Sequence, residues 1–184
     1  MPRCVAFLRA VNVGGRNVRM DALRGAFEAL GVTRVETSIA SGNVVFEPRA
    51  RDLAALARKV EAQLSAVLGF EIHTFIRTAE ALRMIAAHPA FELADIARAA
   101  TFVVGFVGEP LSAQAAARVL DFRNDLDDFH VHGREIYWLS RMRQSESTFS
   151  NAALERALGT RATFRAMNTV QRLLAKHFVK GPPA

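Results

Sequence analysis

Cysteine is almost missing from this 184-residue chain: Cys4 stands alone, so no intramolecular disulfide can form, a composition that fits a reducing, cytoplasmic compartment. Long apolar runs are missing as well. No segment reaches the ~20 consecutive apolar residues a membrane helix needs, and the stretch over residues 5–8 is cut by Arg9, too short for the core of a signal peptide. Neither export nor anchoring in a membrane is expected. Lysine is confined to Lys59, Lys176 and Lys180, so the formal net charge of +6 is carried almost wholly by arginine. Codon composition can produce such a bias without selection for phosphate contacts, and the charge predicts a basic soluble surface more readily than a nucleic-acid partner. What is plentiful is apolar content, 51% of residues spread along the whole length, which permits a buried core and excludes wholesale disorder.

Residues 4–9 read as a β-strand ending at Asn12-Val13-Gly14-Gly15-Arg16-Asn17, whose glycines and asparagines announce a loop. Leu23, Phe27 and Leu30 then fall at helical spacing before Gly31. Residues 35–40 and 44–46 are strand-like, with Ser41-Gly42-Asn43 as the hairpin turn. Asp52 is placed to cap a second helix carrying Leu56, Val60 and Leu64 up to Gly69, and residues 72–76 return as a strand. Thr78 caps a connecting helix that stops before Pro89, and residues 90–100 bridge to the second half.

The same order then begins again: a strand over 101–107, a helix over 112–120, and a hairpin of residues 129–132 and 136–139 around Gly133-Arg134. A helix over 151–158, a short strand over 162–165 and a last helix over 168–178, with Asn168 as its cap, complete it. The predicted fold class is α+β, with two ferredoxin-like (βαββαβ) halves arising from an apparent duplication and extra connecting and C-terminal helices. The expected division is residues 1–89 and residues 90–184, closely packed, with one integrated domain as the alternative.

Several groups of residues are candidates for chemistry. Gly14-Gly15-Arg16-Asn17, with Arg9 and Asn12 before it, can turn backbone N–H groups and a guanidinium toward an anion. A tight turn explains the same glycines, and neither a Walker ending nor a third dinucleotide-type glycine is present. Ser41 and Asn43 offer compact polar groups beside a ligand, although turn formation accounts for them equally. Asp128, His130 and His132 alternate along one strand and share a face, a weak candidate metal set that a half-exposed strand explains better. His73, His88 and His177 are isolated in sequence. Arg165 and Asn168 precede the last helix, whose N-terminus attracts anions. Tyr137 and Trp138 stand side by side in a strand, so one is expected in the core while the other has the chance to stack on a base. No G-x-S-x-G elbow or paired base marks a nucleophile.

The opening Phe7-Leu8-Arg9-Ala10-Val11-Asn12-Val13-Gly14-Gly15 and the later Ile39-Ala40-Ser41-Gly42-Asn43-Val44-Val45-Phe46 resemble the bacterial domain of unknown function family 1697. The likeness continues through residues 144–147, residues 154–158 and Thr163-Phe164-Arg165, nearly the whole chain. The resemblance implies a cytoplasmic α+β protein of two ferredoxin-like parts, with no established activity to carry over. Where many members have arginine-asparagine-tryptophan, this chain has Arg165-Ala166-Met167, so a binding role for that asparagine and tryptophan does not transfer.

The leading expectation is a binding module for an anionic ligand, a nucleotide or an RNA phosphate, using Arg9, Asn12, Gly14, Gly15, Arg16, Asn17, Ser41, Asn43, Arg165 and Asn168. The alternatives are a hydrolase or transferase acting on a phosphorylated small molecule through His130 or His132, and an interaction protein that pairs through its open sheet faces. The residues name no cofactor, no catalytic group and no oligomeric state.

Overall fold

The computed structural model describes residues 3–9, 11, 18–38 and 42–178. Among them are eight strands and seven helices in a mixed α/β architecture with two four-stranded antiparallel sheets. By compactness the chain divides into Met1–Arg83 with Leu174–Ala184, and Met84–Leu173.

The first unit contains β1 (Cys4–Leu8), α1 (Met20–Glu28), β2 (Thr33–Ser38), β3 (Asn43–Glu47), α2 (Leu53–Leu68) and β4 (Thr74–Thr78), its strands in the order β2-β3-β1-β4. The local signals work as physical chemistry requires. Asp52 accepts the Ala55 N–H at 2.9 Å and starts α2, and Gly69, at a φ of 76° that a side chain would strain, ends it. Alternation puts Cys4, Ala6, Leu8, Val44 and Phe46 on the face covered by Leu23 and Phe27 of α1 and by Leu56, Val60 and Leu64 of α2. Burial there pushes the Cys4 thiol up to about 11, which leaves it protonated and unreactive. The opposite face, with Val5, Phe7, Val45 and Arg77, is buried as well. Glu36 on β2 gathers Arg3 and the His177 ring, whose Nδ1 lies 3.1 Å away, and Arg83 donates to the Phe178 carbonyl at 2.6 Å.

Two further helices are α3 (Ala79–Ala87) and α7 (Met167–His177). Thr78 caps α3 as its sequence suggests, its hydroxyl accepting the Ala81 N–H at 3.1 Å. The second unit holds α4 (Leu93–Arg98), β5 (Thr101–Phe106), α5 (Ala113–Leu120), β6 (Asp127–His132), β7 (Glu135–Ser140), α6 (Asn151–Leu158) and β8 (Thr163–Ala166). Its order, β6-β7-β5-β8, repeats the first sheet with each number raised by four. The helix α4 forms where the sequence predicts only a bridge. It is six residues long, lacks a side-chain cap and buries nothing, so it has no apolar stripe to announce it.

Val103, Phe129, Ile136, Trp138 and Leu154 make the core of this unit, with Phe149 and Phe164 packed against them. Trp138 is 1% exposed and Tyr137 is not exposed at all, so core packing holds for both of the pair and neither is available to a base. Trp138 faces the helices, while Tyr137, on the other face, donates its hydroxyl to the Ile85 carbonyl at 3.2 Å. Gly105 lies directly under the Phe164 ring, where an added Cβ would stand 2.6 Å from two ring carbons. Gly105→Ala is therefore expected to destabilise the protein by about 1 kcal/mol. Overpacking costs about 1–3 kcal/mol and the relief of glycine's chain entropy returns about 0.5–1 kcal/mol. A urea midpoint equal to or above wild type would contradict this packing.

Candidate functional site

The segment from His88 to Glu92 joins α3, which Pro89 prevents from continuing, to α4, which buries no residue. Between this segment, β5 and the start of α7 lies a cavity of about 840 Å³, within the range of small-molecule sites. Phe91 and Phe102 meet edge to face at 5.8 Å in its apolar wall. Its polar lining includes His88, Glu92, Thr101, Gln144, Asn168 and Gln171, so among the described residues Glu92 is the only carboxylate in it. The Thr101 hydroxyl donates to the Met142 carbonyl at 2.8 Å and fixes the loop that presents Gln144. Met167 and Asn168, the first two residues of α7, belong to the wall, and the first turn of any helix carries N–H groups without intrahelical acceptors.

His88 also turns toward the sheet. Its Nε2 lies 2.8 Å from His130 Nε2, its ring stacks on His132 at 4.3 Å, and it stacks on Tyr137 at 5.1 Å. Burial, then the His132 and His130 rings, hold the His88 pKa below the ordinary imidazole value, against an opposing pull from Glu135. Burial, His132 and Arg123 do the same to His130, against Asp128. The Tyr137 hydroxyl is pushed well above its usual value by burial and by Glu135. No sequence signal joins His88 to His130, because the contact spans 42 residues and arises only once α3 packs on the sheet.

Of the residues singled out from sequence, Asn12, Gly14, Gly15, Arg16, Asn17 and Ser41 lie outside the described residues. Arg9 is half-buried, with its backbone N–H donating to the His73 carbonyl at 2.8 Å, and Asn43 is buried opposite Phe7. Arg165 is held in β8, donating to Thr163 Oγ1 and to the Phe164 carbonyl, each at 2.8 Å, and burial lowers its pKa to about 10. Asn168 reaches the cavity, but from inside the first turn of α7 and not as its cap. Asp128, His130 and His132 share one face of β6, yet Asp128 is 2.7 Å from the Arg123 guanidinium, and among the described residues no group of three or more metal-binding side chains converges. No helix among the described residues is long and apolar enough to cross a membrane.

No curated protein matches the sequence. Among solved structures the chain is similar to the conserved bacterial protein SP0830 from Streptococcus pneumoniae, with a TM-score of 0.75 over 96% of this chain and 99% of that one. At 23% identity this likeness shows a shared fold. The family model described as "Protein of unknown function (DUF1697)" matches residues 1–137, well over half of the length, and the chain belongs to that family.

Proposed function

We propose that the protein is a binding module whose ligand, a small anion such as a nucleotide, occupies the cavity of the second unit. The observation that carries this reading is the 840 Å³ concavity walled by the first turn of α7. There the positive end of the helix dipole and first-turn N–H groups that lack intrahelical acceptors favour negative charge. Gln144, Asn168 and Gln171 add neutral donors beside them. The reading of Arg9, Asn12, Gly14, Gly15, Arg16, Asn17, Ser41 and Asn43 as a further anion-binding group in the first unit is supported by their residue types. A hydrolase or transferase is the second reading, favoured by the placement of His88 in both the cavity wall and the imidazole cluster.

Asn168→Asp tests the first reading through two opposite signs. A carboxylate in the first turn suits the helix dipole, so stability stays level or rises by about 0.3–1 kcal/mol. The same charge repels an anion, and affinity falls at least about tenfold, or about 1.4 kcal/mol. Calorimetry with nucleoside monophosphates, the parent nucleosides and inorganic phosphate is the measurement. Equal affinity for nucleoside and nucleotide, unchanged in Asn168→Asp, would overturn the anion reading, and product in the same samples would favour the enzyme.

The repeated strand order also supports reading the two units as ferredoxin-like halves of an internal duplication. A lone thiol kept buried suits the cytoplasm.

A further inference from the structure

We propose that the His88–His130 contact is an acid-released latch: two imidazoles joined Nε2 to Nε2 hold the connection between α3 and α4 against β6, and a second proton on the pair lets that wall of the cavity go. The latch itself stands on the geometry of the imidazoles, while its consequence for ligand entry rests on the cavity being the binding site.

At 2.8 Å one Nε2 donates and the other accepts. The accepting ring then carries its proton on Nδ1. One added proton is tolerated, because imidazolium and neutral imidazole still make a donor–acceptor pair. With two, both Nε2 atoms are donors facing each other and the bond is lost. The surroundings oppose charge further. His132 stacks on His88 from the same strand, and the nearby Arg123 adds a fixed positive charge to the field at His130. The anionic groups acting on the pair are Glu135 of β7 and Asp128 of β6, and Asp128 is already paired with Arg123. Tyr137 remains a neutral hydroxyl bonded to Ile85. Ala86, His88, Pro89, Phe91 and Leu93 all line the cavity, so releasing His88 moves a wall and not a remote loop.

The direction follows from linkage. Rings whose pKa is depressed while latched bind fewer protons than the same rings released, so the latch is complete above the ordinary histidine value of about 6.5 and weakens as pH falls below it. Each proton taken up on release multiplies the opening equilibrium by about ten per pH unit. Up to two protons are involved, so the steepest dependence is about a hundredfold per pH unit.

Hydrogen exchange on the whole ligand-free chain, corrected for the intrinsic pH dependence of amide exchange, reads this directly. Between about pH 7.5 and about pH 5.5 the amides of α4, of His88 and of residues 90–92 are expected to lose protection, by about tenfold per pH unit for each proton taken up below about 6.5, while β5 and β7 keep theirs. His130→Asn retains a polar partner without a titrating ring, so its slope should be shallower by about tenfold per pH unit. Flat protection in the wild type, or the same slope in the variant, would sink the latch. Should the variant fail to fold, nitrogen NMR of the wild-type imidazoles decides: His88 and His130 titrating in linked steps below about 6.5 upholds the proposal, and independent titration at about 6.5 overturns it. Because no ligand is present, either result leaves the calorimetric test of the cavity standing on its own.

Discussion

Asp127→Ala is expected to lower the unfolding free energy by about 3 kcal/mol, a large share of the stability of an ordinary domain. The carboxylate is 3% exposed and accepts the Trp138 indole N–H at 2.8 Å, an Asn124 amide N–H at 3.1 Å and the Ser147 hydroxyl at 3.3 Å. Burial alone would raise its pKa, but the hydrogen bonds from Ser140, Asn124, Trp138 and Ser147 together carry it below the usual aspartate value. Removing the acceptor strands a buried indole N–H, which costs about 1–3 kcal/mol, and forfeits charge-assisted bonds worth about 1.5–3 kcal/mol each before relaxation. Asp127→Asn keeps an oxygen for the indole and should lose about half as much. Since the folded pKa is depressed, the contribution is present above about pH 3.9 and disappears as pH falls through the folded value. Trp138 is the single tryptophan, so its fluorescence in a urea titration reports this unit. A midpoint within error of wild type would show that Asp127 does not organise the core.

Asp127 reads in the sequence only as the residue before a strand of alternating polarity. Its importance arises from Trp138 eleven positions away and Ser147 twenty positions away, and no periodicity encodes such pairings. Short-range physics was legible by comparison. Asp52 and Thr78 start their helices, Gly69 stops one, and Gly133 turns its hairpin at a φ of 60°. The repeated chain order of strands and helices was legible too, and each half forms a four-stranded antiparallel sheet. Where spacing alone had to decide exposure, it misled: alternation placed Tyr137 and Trp138 on opposite faces, and both faces turned out to be buried. The candidate site divides along the same line. Asn168 was visible as a polar residue at a helix start, whereas His88 gains meaning only when α3 brings it to His130.

Trp138→Ala should be the most damaging single change, at about 3–5 kcal/mol. The indole is 1% exposed and sits among Phe149 at 4.6 Å, Phe129 stacked at 6.1 Å and Phe164 edge-on at 6.5 Å. Truncation removes the largest fully buried side chain from a close-packed interior and leaves a void that β6, β8 and the loop carrying Phe149 would have to move to fill. It also takes the indole donor from Asp127, so the two substitutions overlap. Together they should cost less than their sum by about 1–2 kcal/mol, the signature of side chains in direct contact. Far-ultraviolet circular dichroism during urea unfolding supplies the four free energies of the cycle without the tryptophan signal. Strict additivity would mean that the 2.8 Å bond contributes nothing. The consequence reaches the cavity through the loop after β7. Met142 is tied to Thr101 and Ser147 to Asp127, with Gln144 between the two anchors. If ligand binding uses Gln144, Trp138→Phe should weaken it by loosening the second anchor while preserving most of the aromatic packing.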